Sequence, residues 1–178
     1  MIIDEHKTIF IHIPKNAGTS ITHYFFKNTN IGLVEYGIRK HDTVHDVKIK
    51  LQDYRRFYNK FAVVRNPYSR MVSWYSFLKL WAKSTEKPVN IDFNQWIKNP
   101  IKESYKQKDW LNVHEDLLLK PQCDWIDETV VILKYENLKK ELNKFFGKKI
   151  NLPIVNKTKH KHYLKYYDKE SLNIVYDR

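Results

Sequence analysis

The stretch Thr8 to Ile21, Thr-Ile-Phe-Ile-His-Ile-Pro-Lys-Asn-Ala-Gly-Thr-Ser-Ile, constrains this chain more than any other. Thr8 to Ile13 joins β-branched and aromatic residues with little polarity, which predicts a buried strand. Pro14 ends the ladder because it has no backbone donor. Asn16, Ala17 and Gly18 suit a compact turn, and Thr19-Ser20 are placed to cap a helix carried by Ile21, Tyr24 and Phe25. Strand, tight loop and helix N-terminus in that order make an anion site, because free N–H groups and the positive dipole end face one point. Lys15 adds a cation, and Thr19 and Ser20 add hydroxyl donors. Phosphate or sulfate fits this set, although an ordinary strand-to-helix turn uses similar residues. A Walker A loop is absent, since Lys15 precedes the turn instead of closing it, which argues against an ATPase or GTPase.

A second anion motif follows. Lys60 to Arg65 reads as another core strand, after which Asn66 caps a helix and Pro67 occupies its first turn. Met71, Trp74, Leu78 and Trp81 give that helix a buried face, with Ser69, Ser73 and Ser76 on another. An Arg fork at a strand end and a hydroxyl near a helix start, Arg65 and Ser73, suit a terminal phosphate. Arg70 is either a third ligand or half of a surface ion pair. A parallel sheet collects such strand ends on one edge, where α/β folds bind nucleotides.

Both motifs resemble those of sulfotransferases that use 3′-phosphoadenosine 5′-phosphosulfate (PAPS). Ile11 to Ser20 is similar to the 5′-phosphosulfate loop of the carbohydrate-type branch (sulfotransferase family 2), usually His-Ile-Pro-Lys-Thr-Ala-Gly-Thr-Ser. Asn16 replaces the usual Thr and leaves the loop backbone donors in place. Val64 to Tyr75 resembles the 3′-phosphate motif: an Arg, then Asn-Pro-Tyr, and a Ser eight positions after the Arg. The resemblance implies that Lys15, Asn16, Ala17, Gly18, Thr19, Ser20, Arg65 and Ser73 bind the donor, with Lys15 also catalytic. It also implies a three-layer, P-loop-like α/β fold with a central parallel sheet and helices on both faces.

Between the motifs, Leu33 to Tyr36 reads as a short strand or connection. Val44, Val47, Leu51, Tyr54 and Tyr58 give the next helix a buried stripe, with Thr43 as its cap and His41 just outside. The resembled family commonly has a Lys-His pair here, which makes His41 the candidate general base and His45 the alternative. Beyond the second motif, a short helix from Asp92 to Lys98 presents Trp96. The stretch Ser104 to Asp116 mixes packing and solvated residues and has no assigned structure. Pro121 to Ile126 resembles a family segment that borders the acceptor pocket, and it also suits a plain turn. Val130 to Tyr135 is the third core strand. Its helix buries Leu138, Leu142, Phe145 and Phe146 and ends at Gly147. Tyr135-Glu136-Asn137-Leu138 recurs in the family, in a structural role. The basic loop Asn156 to His162 is a solvated linker or, as the resemblance implies, a cover for nucleotide or anionic acceptor. Asp168 caps a last helix, Leu172 to Tyr176.

A chain of 178 residues fits a single sulfotransferase domain over 1–178. Its 42% hydrophobic and 15% aromatic content excludes a disordered chain. The net charge of +12 points to anionic partners. With Cys123 the lone cysteine, neither an internal disulfide nor a cysteine-cluster zinc site can form, and a reducing compartment fits. The first strand starts too near Met1 for a signal peptide and no apolar run reaches transmembrane length, so the expectation is a cytoplasmic protein. The expected reaction is sulfuryl transfer from PAPS to a hydroxyl or amine, on a carbohydrate by family branch, releasing adenosine 3′,5′-bisphosphate without a metal. The acceptor's identity stays open, and an anionic one suits the charge. Rival readings are a kinase-like nucleotide-binding protein and a basic nucleic-acid-binding module. The second rival requires aromatics interleaved with basic residues on an exposed face.

Overall fold

The computed structural model describes residues 1–26, 37–51, 58–84, 92–98 and 120–177, without the side chains of 81–84. The expected strand at Leu33 to Tyr36, Tyr54, the side chain of Trp81 and the Trp110 to Leu119 segment lie outside the described residues. The chain forms two compact units: Met1–Arg65 with Pro121–Asn156, and Asn66–Lys120 with Lys157–Arg178.

The first unit is mixed α/β around a four-stranded sheet. Strands β1 (Ile2–Ile3), β2 (Thr8–Ile11), β3 (Asn59–Val64) and β4 (Val131–Lys134) lie side by side in that order. β2 pairs with β3 and β3 with β4 in parallel, Phe10 opposite Phe61 and Val63 opposite Leu133. The three strands expected in a parallel sheet are parallel, and β1, not expected, adds an antiparallel edge with Ile2 opposite Ile9. One turn, Asp4–His6, closed by Lys7 at φ 43°, joins β1 to β2. So short a connection permits only an antiparallel return. β4 is also less buried than a core strand: Val131 and Ile132 are 48% and 50% exposed, and Leu133 alone of its residues is buried.

Alternation along the strands sorts the core. Phe10, Phe61, Val63 and Leu133 face one side, where they meet Ile21 of α1 (Gly18–Phe26) and Leu142. Leu142 belongs to the Leu138–Phe146 helix, whose Phe145 and Phe146 are half-buried against the same cluster and whose end is Gly147 at φ 63°. Ile9, Ile11 and Ala62 point to the opposite side and are equally dry. α2 (Val44–Leu51) buries Val44, Val47 and Leu51 as expected. Thr43 caps it through a reciprocal pair, its backbone N–H donating to Asp46 and its hydroxyl accepting from the Asp46 N–H. Tyr58, expected on this helix, instead precedes β3.

The second unit is helical where described. α3 (Pro67–Ser84) starts as expected, Asn66 Oδ1 accepting from the Ser69 N–H at 3.0 Å. It buries Met71, Val72, Trp74, Tyr75 and Leu78 against α4 (Phe93–Lys98) and Val175. Trp96, which α4 presents, is 1% exposed, because this short helix turns its apolar residues into that cluster. The Leu138–Phe146 helix is α5 in chain order, and the last helix, α6 (Lys169–Tyr176), starts earlier than Leu172. Asp168 caps it through a capping box with Ser171, which accounts for the extra turn. Among the described residues, no helix is long and apolar enough to cross a membrane.

Candidate active site

The loop between β2 and α1 has an uncommon backbone. Lys15 and Ala17 adopt positive φ, 69° and 62°, on either side of Asn16. Non-glycine residues in that region are strained and persist only where their surroundings hold them. α1 begins at Gly18, so Thr19 and Ser20 lie in its first turn instead of capping it, and Ile21 N–H donates to Ala17 C=O. First-turn N–H groups have no intrahelical acceptor, so the helix still offers an anion its donors and dipole. The Ser20 hydroxyl accepts from the Val155 N–H at 3.3 Å.

Gly18 is required for a steric reason. A Cβ there would lie 1.7 Å from Nε2 of His12, whose ring fills the space beneath the helix start. His12 is 3% exposed, stacks on Phe10 at 5.4 Å and has its pKa held well below the ordinary histidine value, mainly by burial and then by His41 and Lys40. Gly18→Ala should therefore destabilise the fold by about 1–3 kcal/mol, the usual range for overfilling a packed interior. A lower urea midpoint would show it, whereas an unchanged midpoint would mean that the His12 ring moves aside without cost.

Three cations meet around this loop. Burial, then Arg65, then Lys40 bring the Lys15 ammonium down to about 8. Both charges that act most on it are positive, so the site concentrates repulsion that a bound anion would relieve. Arg65 is 8% exposed, and its Nη1 donates to the Lys15 carbonyl at 3.2 Å. Its guanidinium also lies 4.2 Å above the Tyr135 ring, a cation–π contact that steadies it. The β2–α1 loop and the arginine at the end of β3 are thus in direct contact.

His41 joins the same group. Its ring lies 4.6 Å from that of His12, and its Nδ1 is 2.9 Å from the His12 carbonyl oxygen. A carbonyl only accepts, so Nδ1 carries a proton, and in the neutral ring the lone pair is then on Nε2, the arrangement a base needs. His45 is exposed in the first turn of α2.

Two residues that sequence reasoning did not assign to the site hold it together. Gln122 opens the 3-10 turn Gln122–Trp125 and grips Arg65 by its backbone: Oε1 accepts the Arg65 N–H at 3.0 Å, and Nε2 donates to the Arg65 C=O at 2.8 Å. The same Oε1 accepts from Asn16 Nδ2 at 2.7 Å, and that nitrogen also donates to the Val63 C=O at 2.7 Å. Asn16, 1% exposed, therefore turns its side chain into the protein. Tyr135, the platform under Arg65, is the other. The family wording at Gln122 and Tyr135 was the available signal, but it carried no role toward the loop.

Ser73 is 8% exposed on α3, in the second unit. Arg70, in the same unit, is 5% exposed and so lies off the surface, and burial brings it down to about 10. Its Nη1 donates to the Lys120 carbonyl. Among the described residues, no three His, Cys, Asp or Glu side chains converge as metal ligands.

A cationic loop at a helix start, cross-linked to an arginine at the next strand end, offers groups that suit a sulfate or phosphate anion. Comparison with known proteins agrees with that chemistry. The model of the sulfotransferase family matches residues 1–173. No match is found among curated proteins or among solved structures. Because the matched region takes in both anion motifs and nearly the whole chain, this protein belongs to sulfotransferase family 2.

Proposed function

We propose that the protein transfers a sulfuryl group from PAPS to a hydroxyl or amine acceptor, a carbohydrate hydroxyl being the form the family branch favours. The observation that carries this reading is the clustering of Lys15, Lys40 and Arg65 around the β2–α1 loop. PAPS bears charge at both ends of its adenosine. The loop and the first turn of α1 would take the 5′-phosphosulfate, and Arg65 with Ser73 the 3′-phosphate. In the transfer, the acceptor oxygen attacks sulfur in line as the bond from sulfur to the bridging oxygen breaks. The acceptor proton passes to Nε2 of His41, and adenosine 3′,5′-bisphosphate leaves with the bridging oxygen's charge. Lys15 and the loop N–H groups neutralise that charge, and the protein otherwise works by positioning, as in phosphoryl transfer. The reading includes a three-layer, P-loop-like domain spanning the chain.

Calorimetry with adenosine 3′,5′-bisphosphate, ATP and single-stranded DNA tests the proposal. The bisphosphate should bind most tightly; tighter binding of ATP would favour the kinase-like reading, and of DNA the nucleic-acid module. Burial of Trp96, Trp125, Phe10 and Phe61, each at most 1% exposed, removes them as stacking platforms for bases. Arg65→Ala should weaken the bisphosphate by roughly 2–4 kcal/mol, as expected for a charge-assisted pair to a partly buried anion. Adenosine 5′-phosphosulfate, which lacks the 3′-phosphate, should lose much less. Equal losses for the two ligands would move Arg65 away from the 3′ end.

A further inference from the structure

β3 ends at Val64, so Arg65 leaves the sheet at the next residue. Its backbone is nevertheless paired as if the sheet continued, since the Gln122 carboxamide takes its N–H and satisfies its C=O. A carboxamide can imitate a neighbouring strand in this way because it offers an acceptor and a donor in one plane. Those two contacts fix the orientation of the amide: reversing it would set two donors and two acceptors against each other. Oε1 must then face Asn16, which in turn must present its NH2 group to both Gln122 and the Val63 carbonyl.

The carboxamide pair thus ties the middle of a loop with two positive-φ residues to the end of β3, where the second motif begins. The arrangement has a cost. Asn16 Oδ1 is buried with no hydrogen-bond partner, an unfavourable state that a core optimised only for stability would avoid. A threonine at this position has a single hydroxyl proton and could satisfy one of the two acceptors, not both.

We propose that Gln122 is a positioning residue: acting through Asn16, its carboxamide locks the Lys15–Ala17 loop to the end of β3, so that loop and Arg65 form one preorganised anion site. The inference rests on reading that site as the one for the donor. Without the lock, the loop and Arg65 bind as loosely related groups, and a ligand with anions at both ends loses the advantage of meeting them together.

The test is a double-mutant cycle on adenosine 3′,5′-bisphosphate affinity, by calorimetry at a temperature where circular dichroism shows every variant folded. Gln122→Ala and Asn16→Ala should each weaken binding by about 10- to 50-fold, and the double variant by no more than about threefold beyond the weaker single, because both remove one device. Gln122→Glu keeps the acceptor but loses the donor to Arg65 and adds a negative charge, so it should bind at least as weakly as Gln122→Ala. It also carries the test if the alanine variant does not fold. A lowered melting temperature with unchanged affinity, or losses that multiply, would reduce Gln122 to a structural role and overturn the proposal. If the wild type ignores the bisphosphate but takes sulfate, the donor assignment fails and the same cycle is scored on sulfate. If it takes neither, both proposals fall.

Discussion

Lys15→Ala should lower sulfuryl-transfer turnover by about 10²–10³ while affecting donor affinity less, the pattern of a group that acts mainly on transition-state charge. Its position supports that expectation. Lys15 sits at the mouth of the loop, at φ 69°, with its carbonyl held by Arg65. The side chain's ammonium is disfavoured before an anion arrives, since burial and two neighbouring cations bring it to about 8. In the proposed transfer, a developing negative charge on the bridging oxygen would reverse that balance and make the interaction strongest in the transition state. Single-turnover rates at saturating donor measure the effect. A variant that binds donor poorly yet turns over normally once saturated would remove the catalytic role.

The same lowered pKa has two signed consequences. Between about 8 and the ordinary lysine value of 10.5, the unfolded chain holds a proton that the folded, unliganded protein does not. Stability from this group therefore rises with pH across that window, and the deficit is fully present below pH 8. An anionic donor raises the pKa again, so binding takes up a proton above pH 8 and weakens as pH increases further. Lys15→Met should abolish that proton uptake, measured calorimetrically in buffers of different ionisation enthalpy, and should leave the unliganded fold no less stable at pH 7. A wild type whose affinity is flat from pH 7 to 10 would mean that Lys15 stays charged throughout.

What could be read in advance followed from local rules. The β2–loop–α1 unit announced itself through Pro14, Gly18 and the apolar run before them, and the start of α3 through Asn66-Pro67. Loop geometry was harder. Nothing about an alanine signals positive φ, so the sequence suggests a helix that starts after a Thr19-Ser20 cap, whereas α1 starts at Gly18 and takes both residues into its first turn. β1 has two residues, too few for any periodicity. Trp96 could sit on either face of a six-residue helix until its neighbours were known. Gln122 is the clearest case. Its partners lie 57 and 106 residues away, and no spacing rule connects an amide to a backbone that only tertiary structure brings near. Such a residue reads as a turn until its hydrogen bonds are seen.

His41→Ala should cost about 10²–10⁴ in turnover and leave donor affinity nearly intact, the usual scale for losing a general base. An alcohol attacking sulfur must shed its proton, and a base needs an accessible lone pair at the right place. By accepting from Nδ1 of His41, the His12 carbonyl puts the lone pair of the neutral ring on Nε2, the atom proposed to take the proton. His12 cannot substitute. It is buried, its Nε2 is pressed against Gly18, and it is held neutral by burial and by neighbouring cations. His45, exposed on α2, is the remaining competitor. Acidification should slow the wild type, because protonating Nε2 of His41 removes the lone pair. His41→Ala should lose that dependence along with its activity, and His45→Ala should keep both. Steady-state rates at saturating donor and acceptor across pH 5 to 8, roughly the range in which histidines titrate, decide the matter. If His41→Ala turns over near the wild-type rate while His45→Ala is inactive, the proton leaves through α2, and the contact between His41 and the His12 carbonyl serves only to anchor the chain ahead of that helix.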